Sequence, residues 1–275
     1  MMRISETVKH LIIINVIMFL GTMFIGNGNG ELFFRWFALY YPKNSLFEPW
    51  QIISYMFMHG GFMHIFFNML ALWMFGSPVE FQLGSKRFLF IYFSAGLGAV
   101  LLTFAVYYIQ IFPSINVIAN SGLSKDLVNE IVNLDIVKGN YFDKEVLLNK
   151  MQPLFAQFNE NISKVDRATF EALYMINVKS VGSMVGASGC IMGILAAFGM
   201  MNPEARLMLI FLPIPIKAKY FIPGIIILDL ISAVTGRSFF SPSNTAYIAH
   251  VGGALTGFFI MWYWKKNQFN KNRWY

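Results

Sequence analysis

Six stretches of nearly unbroken apolar sequence punctuate the chain, at approximately 10–26, 55–76, 88–111, 181–201, 219–236 and 246–264. Crossing the hydrocarbon core of a bilayer takes about 20 mostly apolar residues. The pattern therefore predicts six membrane-spanning helices in an all-α membrane protein. Pro213, Pro215 and Pro223 interrupt the approach to the fifth stretch, which a span tolerates where neighbouring helices re-satisfy the backbone. The first stretch follows Arg3 and Lys9 and superficially resembles a signal peptide. It lacks a small-residue cleavage site, and Gly26-Asn27-Gly28-Asn29 reads as a loop, so it is expected to be a retained span.

One long segment breaks the rhythm. Residues 112–180 carry seven basic and eight acidic side chains, a mixed and nearly neutral composition. Ser124 is placed to cap a helix whose Leu127, Val128, Ile131 and Val132 form one apolar face. Asp166 is placed to cap another, with Phe170, Leu173 and Tyr174 along a similar stripe. The expected organisation is a membrane core over 1–111, a mostly helical external insertion over 112–180, a second part of the core over 181–265, and a tail over 266–275.

Composition supports the bilayer. Of 275 residues 56% are hydrophobic and 13% charged, against roughly 25% charged in a soluble domain. The formal charge of +7 would suit a nucleic-acid partner only if it formed a basic stripe. Instead the cations sit in short clusters between apolar runs, and no nucleic-acid partner is expected. With six spans, eleven basic residues (Arg3, Lys9, Lys86, Arg87, Arg206, Lys217, Lys219, Lys265, Lys266, Lys271 and Arg273) fall on the side of the termini. Only Arg35, Lys43 and Arg237 fall in the short loops opposite. Positive residues stay inside, so a multi-pass protein of the cell membrane with both termini cytoplasmic is expected. Trp262 and Trp264 ahead of Lys265 suit the cytoplasmic interface. The lone Cys190 excludes an intrachain disulfide and a cysteine-based metal site, and it reads as a packed small hydrophobe.

Polar groups at membrane depth are costly and point to function. The second stretch holds His64 and Asn68, four residues apart and so on one helical face. The fourth holds Ser188 within Gly186-Ala187-Ser188-Gly189. The sixth holds His250 within Ala249-His250-Val251-Gly252-Gly253, sharing its face with Gly253 and Gly257. Small residues at that spacing let helices approach closely, and the fourth stretch offers Gly182, Gly186, Gly189 and Gly193 in return. Packing these faces together brings a hydroxyl to an imidazole, which suffices for nucleophilic chemistry. Each group alone also reads as packing or interhelical hydrogen bonding. A shared depth, with Ser188 about two turns and His250 about one turn below the external surface, favours a site. Asp229 in the fifth stretch reads as a partnered structural carboxylate near that span's external end.

These residues carry a resemblance. His59-Gly60-Gly61-Phe62-Met63-His64-Ile65-Phe66-Phe67-Asn68-Met69 resembles the second-span signature of the rhomboid proteases. Gly186-Ala187-Ser188-Gly189 resembles their nucleophile motif, and Ala249-His250-Val251-Gly252-Gly253 with Gly257 their base motif. The resemblance covers roughly 50–110 and 181–260. It implies a six-transmembrane-helix rhomboid bundle and an intramembrane serine endopeptidase that cuts transmembrane protein substrates within the lipid bilayer, without metal or organic cofactor. It further implies Ser188 as nucleophile and His250 as general base, a dyad without an aspartate. His64, Asn68 and the backbone amide of Ser188 would form the oxyanion hole, and His59 would be structural. Gly253 and Gly257 would set the spacing between spans four and six, and the amphipathic first external loop around Phe34-Arg35-Trp36 would lie partly in the outer leaflet. One departure is Trp50-Gln51, where the family often has Trp-Arg. The alternative reading is a catalytically inactive, rhomboid-like protein that binds membrane clients.

Overall fold

The computed structural model describes residues 3–25, 30–138, 141–209, 212–235 and 244–271. The expected Gly26–Asn29 loop, Arg237 and Arg273 lie outside them. The described chain is helical almost throughout, and it divides into two compact units. The first comprises 1–38, 52–103 and 184–275, and the second 39–51 and 104–183.

In the first unit, α1 (Glu6–Phe24) is followed by the short α2 (Glu31–Phe37), which carries Arg35 and the half-exposed Trp36. The helical turn α3 (Gln51–Ser54) ends in a tight 3-10 turn at Tyr55–Phe57. The predicted second span begins later than its apolar sequence does. Met58–Gly61 is non-helical, and α4 (Phe62–Ala71) passes through a π-turn at Leu72–Gly76 into α5 (Ser77–Leu83). Adjacent glycines at 60 and 61 disfavour helix, which leaves His59 in the loop above α4.

Next comes α6 (Ser85–Asn120), 36 residues without interruption, running past the expected boundary at 111 into the second unit. Four of the described helices are long and apolar enough to cross a membrane: α1, the continuous Phe62–Leu83, α6, and α11 (Ala218–Thr235). Only 22% of the apolar windows of α1 and α11 are buried. Outward apolar surface on that scale belongs in lipid, not water. A two-stranded hairpin, Arg206–Leu209 with Leu212–Lys217, precedes α11 where the sequence suggested only a proline-broken loop. The last helix, α12, covers Asn244–Lys271.

The predicted fourth span is two separate pieces. Helix α9 (Arg167–Val181) ends at Gly182, and α10 (Ser188–Met201) starts six residues later. Ser188 is therefore the first residue of its helix, not two turns inside it. Every residue of α10 from Gly189 to Phe198 is buried. Its backbone lies against α12 and α6 at positions with no side chain or only a methyl. A Cβ on Gly253 would overlap the Gly189 carbonyl, and one on Gly257 would overlap Gly193. A Cβ on Gly189 would come within 2.7 Å of the Ala99 methyl, and one on Gly252 within 2.7 Å of the Gly98 carbonyl. The glycine stripe of span six thus faces span four as expected. Of span four's glycines, only Gly189 and Gly193 take part, and α6 is a third partner.

A buried carboxylate fixes the start of α1. Glu80 on α5 accepts hydrogen bonds from the Thr7 and Val8 amides, both at 3.1 Å, and from Ser85 Oγ at 2.7 Å. It caps the first turn of α1 from another helix, supplying what Ser5 does not.

The second unit holds the insertion. Ser124 caps α7 (Lys125–Val132) by accepting from the Leu127 amide, and Asp166 caps α9 by accepting from Thr169. Both caps are as the sequence predicts. Between them lie a small hairpin, Val137–Lys138 with Tyr141–Phe142, and α8 (Lys144–Gln157). Leu127, Ile131, Leu147, Met151, Phe155 and Leu173 form a continuous core. Gln51 also belongs to this unit. It is fully buried, donating to the Leu46 carbonyl at 2.9 Å and accepting from the Glu48 amide at 3.1 Å. A neutral amide thus anchors the loop that leads into α3.

Gly257→Val is expected to force α12 off α10. Overpacking against side chains costs roughly 1–3 kcal/mol, and a carbonyl cannot rotate away, so the upper end applies. Thermal unfolding in detergent should show a clear loss against wild type, whereas Gly224→Val, with open space around it, should not. Equal stability of the two variants would refute the backbone contact.

Candidate active site

The site is organised around Gly186, whose φ of +127° is open only to glycine at low cost. Its amide donates to the Tyr55 carbonyl at 3.0 Å, and the Tyr55 hydroxyl donates to the Gly96 carbonyl at 2.8 Å. Tyr55 therefore fastens the loop before Ser188 to α6, a role that nothing in the sequence motifs singles out. A Cβ at Gly186 would fall 2.8 Å from His64 Nε2 and 3.7 Å from Ser188 Oγ. Absence of a side chain at 186 leaves the imidazole and the hydroxyl facing one small volume.

On α4, His64 Nδ1 accepts the Gly60 amide at 3.4 Å. With Nδ1 an acceptor, the proton belongs on Nε2, which points into that volume. His59 is buried, and its ring packs edge-on against that of His64 with centroids 5.0 Å apart. Asn68 lies one turn along α4 from His64 with 7% of its surface exposed, and among the described residues its Nδ2 has no hydrogen-bond partner. A buried amide donor left unpaired is costly unless something it is built to meet arrives.

Ser188 opens α10, and the preceding Ala187 offers no side-chain cap. The first amides of a helix have no intrahelical acceptor and carry the positive end of its dipole. His64 Nε2 and Ser188 Oγ thus border one volume at the start of α10, and Asn68 follows His64 one turn along α4.

His250 lies one turn ahead of Gly253 on α12, and Ser188 adjoins Gly189, so the glycine contact sets the spacing of their elements. Among the described residues no hydrogen bond joins Ser188 Oγ to His250. Such bonds are often loose without substrate and tighten in the reacting complex. His250 Nδ1 lies 3.0 Å from Asp229 Oδ2. Asp229, on α11, is 2% exposed. The sequence identified Asp229 as a partnered carboxylate but gave it a structural part, and its partner is the candidate base. Spans five and six are separate in sequence, so no motif spacing could have paired them. The available signal was an acid at membrane depth, which is rarely without a function.

A family model described as the rhomboid domain matches residues 46–112 and 166–267, more than half of the chain. The chain belongs to the rhomboid family. Among its curated relatives, the rhomboid protease GluP of Bacillus subtilis is 42% identical over 65 residues, 22% of this chain and 13% of that protein. The rhomboid protease GlpG of Klebsiella pneumoniae is 41% identical over 56 residues, 20% of each chain. The mitochondrial presenilin-associated rhomboid-like protein of Bos taurus is 26% identical over 218 residues, 77% of this chain and 38% of that protein. In each case the match spans well under two thirds of the relative's own length. The stretch between 113 and 165 lies outside the rhomboid match.

If Asn68 and His64 face an oxyanion, losing each should slow acylation by a serine-reactive probe. A single such donor contributes roughly 10²–10³ in rate in soluble proteases. Asn68→Ala and His64→Ala should fall in that range and the double variant below both, as read by fluorophosphonate labelling kinetics. A double variant as fast as wild type would remove both from the site.

Proposed function

We propose that this rhomboid is an intramembrane serine endopeptidase that cleaves transmembrane segments of membrane proteins near the external face of the cell membrane, with both termini in the cytoplasm. The observation that carries the reading is the approach of Ser188 Oγ and His64 Nε2 to one volume at Gly186, with Asn68 buried one turn along the same helix as His64. A binding protein without chemistry has no use for an imidazole donor aimed at the volume beside a helix-terminal hydroxyl.

In this mechanism a substrate helix enters from the side and unwinds locally, since an intact helix hides its carbonyls in hydrogen bonds. Ser188 Oγ attacks the exposed carbonyl carbon while its proton passes to His250 Nε2. Nδ1–H of His250 donates to Asp229, which holds the ring in the tautomer that leaves Nε2 free and faces the imidazolium once it forms. This is the arrangement used by soluble serine proteases with an aspartate behind the histidine. Nε2 of His64, Nδ2 of Asn68 and the Ser188 amide receive the oxyanion. As the tetrahedral intermediate collapses, His250 returns the proton to the departing amine, and a water molecule hydrolyses the acyl-Ser188 ester.

Depth fits this reading. At 1.5 Å per residue, the 14 residues of α10 span about 21 Å, short of the roughly 30 Å of hydrocarbon. If its C-terminus lies at the cytoplasmic face, where Lys265 Nζ donates to the Met200 carbonyl, Ser188 sits below the external surface, within reach of a water-filled cleft.

Ser188→Ala and His250→Ala should each abolish cleavage of a reconstituted transmembrane substrate and remove fluorophosphonate labelling without unfolding the protein. Substantial cleavage by purified Ser188→Ala would refute the nucleophile assignment, and wild type that neither cleaves nor labels would return the inactive, client-binding reading. Asp229→Asn tests the positioning role. An amide can hold the imidazole in the wrong tautomer, an effect worth up to about 10⁴ in a soluble protease. Acylation should slow at least about 100-fold with thermal stability preserved, and Asp229→Glu should recover part of the rate. Unchanged acylation in the stable Asn variant would make the carboxylate structural only.

A further inference from the structure

Within the second unit lies a half-open cavity of about 460 Å³, inside the roughly 300–1,000 Å³ range of small-molecule sites. Its walls are largely aliphatic, including Ile115 and Ile118 of α6, Val128 of α7 and Ile176 of α9. Lys43, Lys125 and Lys179 border it, and no carboxylate does.

Those three cations lack counter-charges. None of them joins an ion pair among the described residues. Lys179 is the most constrained, its ammonium lying 4.5 Å from the centroid of the Tyr107 ring. Burial lowers its pKa, and no acidic group offsets the effect. A partly buried ammonium with only an aromatic face for company is poorly compensated, and an anion beside it would restore the balance. Elsewhere in the unit Asp143 pairs with Lys138, Glu160 with Lys164, and Glu171 with Lys144.

The aliphatic wall decides which anion. A free phosphate gains nothing from isoleucine and valine. An acidic peptide would bring backbone N–H and C=O groups that such a wall leaves unpaired, whereas an acyl chain has none. Location agrees. The 36 residues of α6 measure about 54 Å, while hydrocarbon occupies only about 30 Å. Ile111, another wall residue, therefore sits just beyond the hydrocarbon, at headgroup level. We propose that this cavity binds an anionic phospholipid, one acyl chain against α6, α7 and α9 and the headgroup phosphate on Lys43, Lys125 and Lys179. The site is independent of the Ser188 chemistry, and Ser188→Ala should retain it.

The test uses the full-length protein in mixed micelles with a photoactivatable phosphatidylglycerol, crosslinked peptides being mapped by mass spectrometry. Wild type should be labelled within α6, α7 or α9, and a phosphatidylcholine analogue should label these peptides weakly. Each cation near an anionic lipid is worth about fivefold in affinity. Lys43→Gln/Lys125→Gln should therefore weaken labelling more than tenfold, and Lys179→Met should weaken it further. Ile115→Trp, which fills the cavity while keeping every charge, should block labelling too, with circular dichroism confirming the fold of each variant. Equal labelling by phosphatidylcholine, insensitivity to the lysine variants or persistence in Ile115→Trp would each overturn the proposal. Suppression of labelling by millimolar inorganic phosphate would instead make this a free-anion site and overturn the lipid assignment.

Discussion

The absence of side chains where α10 meets α12 is the constraint on which the membrane core depends. Apolar helices in lipid gain no hydrophobic driving force from meeting one another. What holds them is close packing, and backbone-to-backbone contact is available only to glycine. Gly189 lies against Gly253, and Gly193 against Gly257. The same arrangement admits α6 through Gly98 and Ala99, so three helices share one seam. Ser188 and His250 adjoin that seam, one residue before Gly189 and three before Gly253. Contacts that stabilise the bundle also set the distance between the two elements of the candidate site.

Enclosure of α10 has a second consequence. A helix surrounded by protein need not match the bilayer, and this one ends short of it. Ending at Ser188 exposes the first-turn amides, while Gly186 and Tyr55 tie the incoming loop down so that those amides stay in place. Fixed donors need no reorganisation as charge develops, which is the main source of electrostatic catalysis. The end of the loop nearest Ser188, at Gly186 and Ala187, is buried in protein, where non-helical backbone is tolerated.

Much of this was legible in the sequence. Apolar run lengths gave the membrane class, and the Ser124 and Asp166 caps gave two helices of the insertion. The glycine periodicity gave the face of α12 that packs on α10. The misreadings share a cause. Hydropathy cannot distinguish a helix from an apolar loop, so 181–187 looked like the start of a span, and 55–61 looked like part of another. Both lengths contain glycines whose backbone is not helical, and both carry the loops that surround the site. Glu80 carries no signature in the sequence because its partners lie on α1, more than 70 positions away. Tyr55 carries none either, because its value comes from backbone partners, which leave no mark in composition.

Asp229 shows most plainly what a one-dimensional reading loses. A carboxylate 2% exposed in a membrane helix is too expensive to persist as an isolated charge. Its cost is met by a partner, and the partner found is Nδ1 of His250. Two demands thereby meet in one hydrogen bond. The acid needs a donor in order to remain buried, and a general base needs its far nitrogen occupied in order to present a lone pair. Neither α11 nor α12 satisfies its own polar group alone. The carboxylate on α11 therefore makes the position of that helix a property of the candidate site, so that a shift of α11 alters the tautomer and aim of His250 as directly as a change at the histidine itself.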